Sequence, residues 1–266
     1  MKLTIAGERL ELGRVLARHA RPRTRAVIHI NVAGQQANTM LHDGHAWDDF
    51  ARTAPAATRR ALRAARAARA SMFVHASFAF VQAIERGAKV APPLGACVDA
   101  ILECEALALA GPLPACIVRL GYLYGPASAD LRAYRKAFDL GRPYWSGPEE
   151  ARQYLVHQDD AATALLAAAR PQNAGKRFYA TAGSAVSFMR FMDAFAHRVG
   201  RSTPLHLPQF SRPVAHIIIR EEHMQQAALG MPSRAPSPRV PGWKPLYADY
   251  RRGLDQVVAT WDGARR

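Results

Sequence analysis

The chain has 266 residues, 49% hydrophobic and 21% charged, enough apolar material for a large core in one or two domains, which excludes intrinsic disorder. No apolar run approaches the ~20 residues of a membrane span; the alanine-rich stretch 161–169 is about half that length. The net charge of +15 comes from 36 basic residues, only five of them lysine, scattered from Arg9 to Arg266. That distribution reads as a solvated surface with long-range attraction for anions, not as the stripe of a nucleic-acid binder. Three cysteines (Cys97, Cys104, Cys116) make no disulfide framework, and the opening residues turn charged too soon for a signal or transit peptide. A cytoplasmic protein is the expectation.

In chain order, Lys2–Gly7 is β-prone and stops at glycine, and Glu8–His19 carries Leu10, Leu12, Val15 and Leu16 at helical spacing. Arg25–Ile30 predicts a second strand. A polar segment over 31–50 follows, then a helix of alanine, leucine and arginine over Ala56–Ala70, with its arginines on the wet side. Met72–Ser77 predicts a third strand, closed by a loop reaching Pro92 and Pro93. Ala96–Ala110 predicts a helix, and Ala115–Arg119 a fourth strand. This alternation predicts an α/β fold, a parallel sheet with crossover helices.

After Pro126 the spacing predicts a helix over 130–140, a loop over 141–150 and a strand over Gln153–His157. A helix from Asp160, a strand at Arg177–Ala180 and a helix capped by Ser187 and running to Val199 come next. A proline-rich loop over 232–245 precedes a last helix over Tyr247–Trp261. His42, Asp43 and His45 flank a glycine turn with no further ligands patterned nearby, so they read as a polar loop and no metal is expected. His29, His75 and His157 sit at strand ends and read as core or loop histidines before they read as bases.

Five segments, in this order, carry a family likeness: Ala26–Ile30; 58–66 followed by Phe73–Ser77; Ile117–Pro126; Tyr154–Ala162; and 242–247 with Tyr250–Asp255. Together they resemble the extended short-chain dehydrogenase/reductases, the NAD-dependent epimerase/dehydratase family. The resemblance implies a Rossmann-like core over residues 1–126, to which a helix at 160–170 returns. It implies a mainly C-terminal substrate-type subdomain over 127–266, with ligands in the crevice at the carboxyl ends of the strands. It also implies NAD(P) as cofactor, an anionic, nucleotide-sugar-like ligand, and a homodimer paired through the helices at 56–70 and 96–110. Gly7, Gly13, His29 and Ser77 fall on the cofactor side, and Arg119, Tyr122, Tyr124, His157 and Arg220 on the substrate side, beside Arg142 and Tyr144. For each of these, a packing role is the alternative.

The sequence also departs from the family. Hydride chemistry there rests on a Tyr-x-x-x-Lys pair, whose ammonium lies one helical turn from the phenol and lowers its pKa. Here Cys97 takes the tyrosine position, Ile101 the lysine position, and Phe78, next to Ser77, the position of the partnering hydroxyl. No tyrosine precedes Tyr122, and only Lys2 and Lys89 precede it among lysines, so no shift of alignment restores the pair. Cys97 could donate a proton in principle, but without a nearby cation it reads as a small apolar residue. In the glycine turn, Gly7 and Gly13 are in place while Leu10 takes the middle position, and Glu8 and Glu11 put negative charge where a phosphate would sit.

Only a few residues separate His19 from Ala26, where the family has two strands and two helices. Either the sheet lacks two strands on the adenosine side, or the first strand is an imitation in a shortened chain. In both cases the first strand is left as an edge, unless a loop or partner covers it. The expected function is therefore an epimerase/dehydratase-like protein without the usual redox catalysis that keeps a pocket for an anionic ligand. An active NAD(P)-dependent oxidoreductase using other residues, and a basic non-enzymatic binding or scaffold protein, are the alternatives.

Overall fold

The computed structural model describes residues 2–20, 27–37, 44–88, 92–140, 152–203, 231 and 234–264. In chain order the elements begin with β1 (Lys2–Ala6), α1 (Glu11–His19), β2 (Val27–Asn31), α2 (Gly44–Ala67) and β3 (Met72–Phe78). Next come α3 (Val81–Glu85), α4 (Pro92–Leu109), β4 (Ala115–Leu120), β5 (Tyr122–Tyr124) and α5 (Ala129–Asp139). The chain continues through β6 (Arg152–Gln153), β7 (Leu155–His157), α6 (Gln158–Ala168), β8 (Arg177–Ala180), β9 (Val186–Ser187), α7 (Phe188–Arg198) and α8 (Tyr250–Gly263).

Five strands form one parallel sheet in the order β1-β2-β3-β4-β8. The first strand is genuine: Lys2 through Ala6 register against Val27 through Asn31. Among the described residues nothing pairs with its outer side, so β1 is the edge of the described sheet, without the two further strands of the family pattern. Period-2 alternation sorts the sheet's faces. Ile28, Ile30, Met72, Val74, Cys116 and Val118 join Leu12, Val15, Leu16 and the alanines of α6 in one core. Phe73 and Ile117 turn to the other face, against Ala61, Leu62 and Ala65 of α2 and Ala108 of α4. The later part of the chain thus returns to the sheet twice, as α6 and as β8.

A separate cluster gathers Tyr122, Tyr124, Leu131, Phe138, Phe188, Phe191, Phe195 and Leu254 from β5, α5, α7 and α8. Asp160 ties it to the sheet: its carboxylate accepts from the backbone N–H groups of Leu246 (2.6 Å) and Tyr247 (2.8 Å). Trp243 Nε1 donates to Thr163 at 3.1 Å. The 154–162 and 242–247 segments are therefore two halves of one contact.

Several boundaries differ from expectation, among them the last helix, which starts at Tyr250 behind the N-cap Asp249 and not at Tyr247. Helix α2 begins at Gly44, twelve residues ahead of Ala56, and contains Pro55. Phe50 and Ala54 continue its buried stripe, and Phe50 packs edge-on against Phe78 at 5.7 Å between ring centroids. That burial outweighs the ~3 kcal/mol an internal proline costs a helix. Helix α4 starts at Pro92, because a helix's first turn tolerates proline, whose missing N–H has no intrahelical partner there. The strand expected over 153–157 splits at Tyr154 into β6 and β7, which pair with different strands. The cap at Ser187 is as expected, its hydroxyl accepting from Arg190 N–H at 3.4 Å. The helix beyond it ends at Arg198, one residue before Val199.

Candidate ligand site

The β1–α1 turn is built as the glycine spacing requires. Gly7 has φ +87, and a Cβ on it would lie 2.9 Å from the Ala33 backbone. A Cβ on Gly13 would lie 2.1 Å from the Gly7 carbonyl oxygen. Only glycine allows the left-handed turn and the close helix–strand contact.

Beside this turn, at the carboxyl ends of β1, β2 and β3, lies a cavity of about 520 Å³. Phe50, Ala54 and Ala57 of α2 and Ala76, Phe78 and Ile101 give it apolar walls. Polar groups enter from Asn31, Thr53, Thr58 and His75, and two exposed arginines, Arg9 and Arg60, also line it. The positions expected to carry the hydroxyl and the lysine are thus cavity walls, and both are hydrocarbon. Cys97 is not among the lining residues; it is 3% exposed, and burial pushes its thiol up to about 12.

His75 is the titratable group buried in this cavity's wall that Asn31 holds. The Ala33 N–H donates to Asn31 Oδ1 at 3.2 Å, which identifies the other end of that amide as Nδ2. Nδ2 lies 3.1 Å from His75 Nδ1. Since Nδ2 can only donate, Nδ1 accepts, and the proton of the neutral ring is on Nε2. Burial holds the imidazole down to about 4, so it is neutral near pH 7.

A second cavity of about 260 Å³ lies on the opposite side of the turn, between Leu10, Glu11 and Arg14 of the α1 end and Ser128, Asp130 and Gln158. Here Glu11 bridges the two parts of the chain. One carboxylate oxygen accepts from Ala129 N–H, the first residue of α5, at 2.9 Å, and the other from Gln158 Nε2 at 3.1 Å. Burial raises its carboxyl above the usual range, opposed by the Ala129 hydrogen bond.

The residues at the turn do not fit a dinucleotide laid across it in the usual way. Leu10 lines both cavities where a glycine would let the backbone meet a pyrophosphate. Glu11 places a carboxylate at the helix end where the phosphate would sit, and among the described residues no strand lies outside β1 to carry a ribose-reading side chain.

The substrate-side candidates are placed in the interior. Arg119 is 3% exposed, and all five of its guanidinium N–H groups are used. Nε and one terminal nitrogen hold Glu105 at 2.8 and 2.9 Å; the two terminal nitrogens hold Glu85 at 2.8 and 2.7 Å, and one also donates to Tyr179 at 2.9 Å. None is left for a ligand phosphate. Ser77 joins the same network, donating to Glu105 at 2.6 Å, and does not line the cavity. Tyr122 donates to Asp130 at 2.8 Å and borders a small cleft of about 10 Å³ beside Tyr154 and Met231. Tyr124 packs edge-on against Phe191 (5.3 Å) and His157 (5.2 Å).

His157 caps α6 through Nδ1, which accepts from Asp159 N–H at 3.2 Å, and its Nε2 meets Gln256 Oε1 at 3.2 Å. His29 sits in mid-strand, its Nδ1 2.8 Å from the Thr4 hydroxyl and its ring stacked on Phe73. It does not line the cavity. Of the cofactor-side candidates, Gly7 alone borders the cavity and Gly13 supports the turn. Arg142, Tyr144, Arg220, His42 and Asp43 lie outside the described residues. Sequence reasoning passed over Arg9, Asn31, Phe50, Thr53, Thr58 and Arg60 as site residues. The available signal was the 31–34 segment leaving β2, since strand ends of this sheet type face the ligand crevice.

No protein-family model matches the chain, and no curated protein sequence matches it. Solved structures do. The human epimerase family protein SDR39U1 (isoform 2), solved with NADPH, superposes with a TM-score of 0.71 at 15% identity, covering 97% of this chain and 99% of that one. The UDP-N-acetylglucosamine 4-epimerase of Methanobrevibacter ruminantium M1, in complex with UDP-N-acetylmuramic acid, gives 0.68 at 10% identity over 100% and 99%. The Bordetella bronchiseptica enzyme WbmG, with NAD and UDP, gives 0.67 at 15% identity over 99% and 96%. The fold of this chain is therefore that of the epimerase structures, as the five sequence segments implied.

Proposed function

We propose that the chain is an epimerase/dehydratase-like protein that binds an anionic, nucleotide-type ligand, such as a nucleotide-sugar, and lacks the usual hydride relay. One observation carries this reading: a cavity of about 520 Å³ at the carboxyl ends of β1–β3 has hydrocarbon, Phe78 and Ile101, at two of the three relay positions. Arg9 and Arg60 supply charge for a phosphate, and Phe50 and Phe78 supply area for a base. Neighbours of the same fold are solved with NAD, NADPH or UDP-sugars, which supports a nucleotide over other anions. The reading of an active NAD(P) oxidoreductase needs a proton donor, and Cys97, with its thiol near 12, is a poor one.

Calorimetric titration of NADH, NADPH, UDP-glucose and mononucleotides tests the proposal. Binding of a nucleotide or nucleotide-sugar, abolished by Ala57→Trp filling the cavity, is the expected result. Turnover of reduced nicotinamide with any sugar nucleotide would overturn it.

Three further points belong to the same reading. The part of the chain beyond residue 126 acts as the ligand-covering subdomain. Two copies pair through α2 and α4, and a monomer by light scattering would remove that idea. The free thiols of Cys97, Cys104 and Cys116 suit a reducing cytoplasm, which cell fractionation checks.

A further inference from the structure

Within the cavity one buried side chain keeps a ring nitrogen without a partner among the described residues. His75 is 6% exposed, lines the cavity, and is bonded by Asn31 at Nδ1; among the described residues nothing partners its Nε2. That nitrogen is not sealed off from the cavity, so its acceptor is whatever fills the space, water or ligand. From this geometry we infer that His75 is the specificity-determining donor of the cavity. Asn31 locks it as an Nε2–H imidazole, and the ligand's inner, planar end presents a ring carbonyl oxygen to that proton. The inference rests on the nucleotide reading above and adds to it the chemistry of the base edge.

The lock follows from a chain of three groups. Ala33 N–H is a backbone donor and cannot change role, so it fixes the Asn31 oxygen, and the Asn31 amino end then fixes the His75 nitrogen. The ring is also held from one side by Phe73, whose plane lies 11° from that of the imidazole at 6.5 Å. The donor is thus fixed in place before any ligand arrives, and little rotamer freedom is lost when the bond forms. An amino group at the same place on the ligand would meet Nε2–H donor to donor, and both would be desolvated without a bond. A site built to hydrogen-bond one edge rejects the analogue that cannot, far more strongly than a hydrocarbon wall rejects a misfit. The neighbouring Phe78, Ile101 and Ala76 supply no competing polar atom from their side chains.

Two measurements test this. In the free protein, long-range proton–nitrogen spectra of the histidine rings are expected to show His75 as a neutral Nε2–H tautomer, and Asn31→Leu is expected to release it to a mixture. A wild-type His75 carrying its proton on Nδ1, or charged at neutral pH, would overturn the inference whatever the ligand. Binding is then compared for two isosteric pairs that differ in a ring carbonyl against a ring amino group, UMP with CMP and IMP with AMP. Wild type is expected to prefer the carbonyl member of at least one pair by about tenfold or more. His75→Leu is expected to reduce that preference to about twofold, and His75→Gln, whose amide restores a donor, to recover most of it. Thermal melts of both variants verify that each is folded. Binding of both members of each pair with equal affinity, or a preference that survives in His75→Leu, sinks the inference while leaving the nucleotide reading intact. Failure of all four nucleotides to bind sinks the nucleotide reading, and this ligand class with it.

Discussion

At the scale of single residues, the same residue types serve opposite ends. Arg119 is the kind of residue that clamps phosphates, yet here it neutralises Glu105 in the interior, where the guanidinium holds that carboxyl below its usual range. Tyr124 is buried with no hydrogen-bond partner for its hydroxyl among the described residues, and a Cβ on Gly253 would lie 2.3 Å from that oxygen. Removing a buried, unsatisfied hydroxyl relieves its desolvation cost, so Tyr124→Phe is expected to stabilise the protein by about 1 kcal/mol, read as a raised urea midpoint. A lowered midpoint would mean the hydroxyl has a partner after all. Glu11→Gln keeps an acceptor for the Ala129 N–H, gives up the one that Gln158 Nε2 uses, and removes the charge at the head of α1. It is expected to tighten binding of inorganic pyrophosphate by roughly 1 kcal/mol, about fivefold, in calorimetry. Unchanged affinity would mean that Leu10, not the carboxylate, keeps phosphate from the turn.

At the scale of elements, the β1–α1 turn is the part where spacing and structure agree most closely. Gly13 faces rigid backbone, so Gly13→Ala should cost about 3 kcal/mol or more. Gly87 is a control: its φ is +88, but a Cβ there would meet nothing within 4 Å. Gly87→Ala should cost only the left-handed strain, about 1–2 kcal/mol. Equal losses in chemical denaturation would show that the close helix–strand contact at Gly13 adds no more than left-handed strain costs at Gly87. Much of this part was legible in advance: the four leading strands and the edge position of β1 follow from apolar runs and from the short His19–Ala26 interval. The start of α2 was not, because Pro55 is a strong local stop signal. Its penalty is overridden by burial of Phe50, a contact with residues far along the chain.

At the scale of the whole molecule, two buried histidines couple stability to pH. His75 and His157 are both held down to about 4 by burial, against an unfolded value of 6.5. Both rings stay neutral in the folded protein but gain a proton on unfolding at lower pH. Stability is therefore full above about pH 6.5 and falls as pH drops towards about 4, by on the order of 3 kcal/mol for the fully buried His75. Urea midpoints should decline between about pH 7 and pH 5. His157→Asn keeps an acceptor to cap α6 and removes one titration, so its decline should be shallower. A flat profile in the wild type would refute this account.

The amino-acid sequence by itself determined the parallel α/β sheet, the glycine turn and the lack of any tyrosine, and of any lysine but Lys2 and Lys89, ahead of Tyr122. Each of these is a matter of local periodicity or of which residue types occur before a given point, and neither needs a third dimension. Tertiary structure alone decided which polar side chains face a ligand. Arg119, Tyr122, Tyr124 and His157 turned inward because carboxylates, rings and a glutamine amide, some close in the chain (Asp130) and some far (Phe191, Gln256), meet them there. His75 looked like one more core histidine, and its role rests on Asn31, 44 residues earlier, holding one of its nitrogens and leaving the other to the cavity.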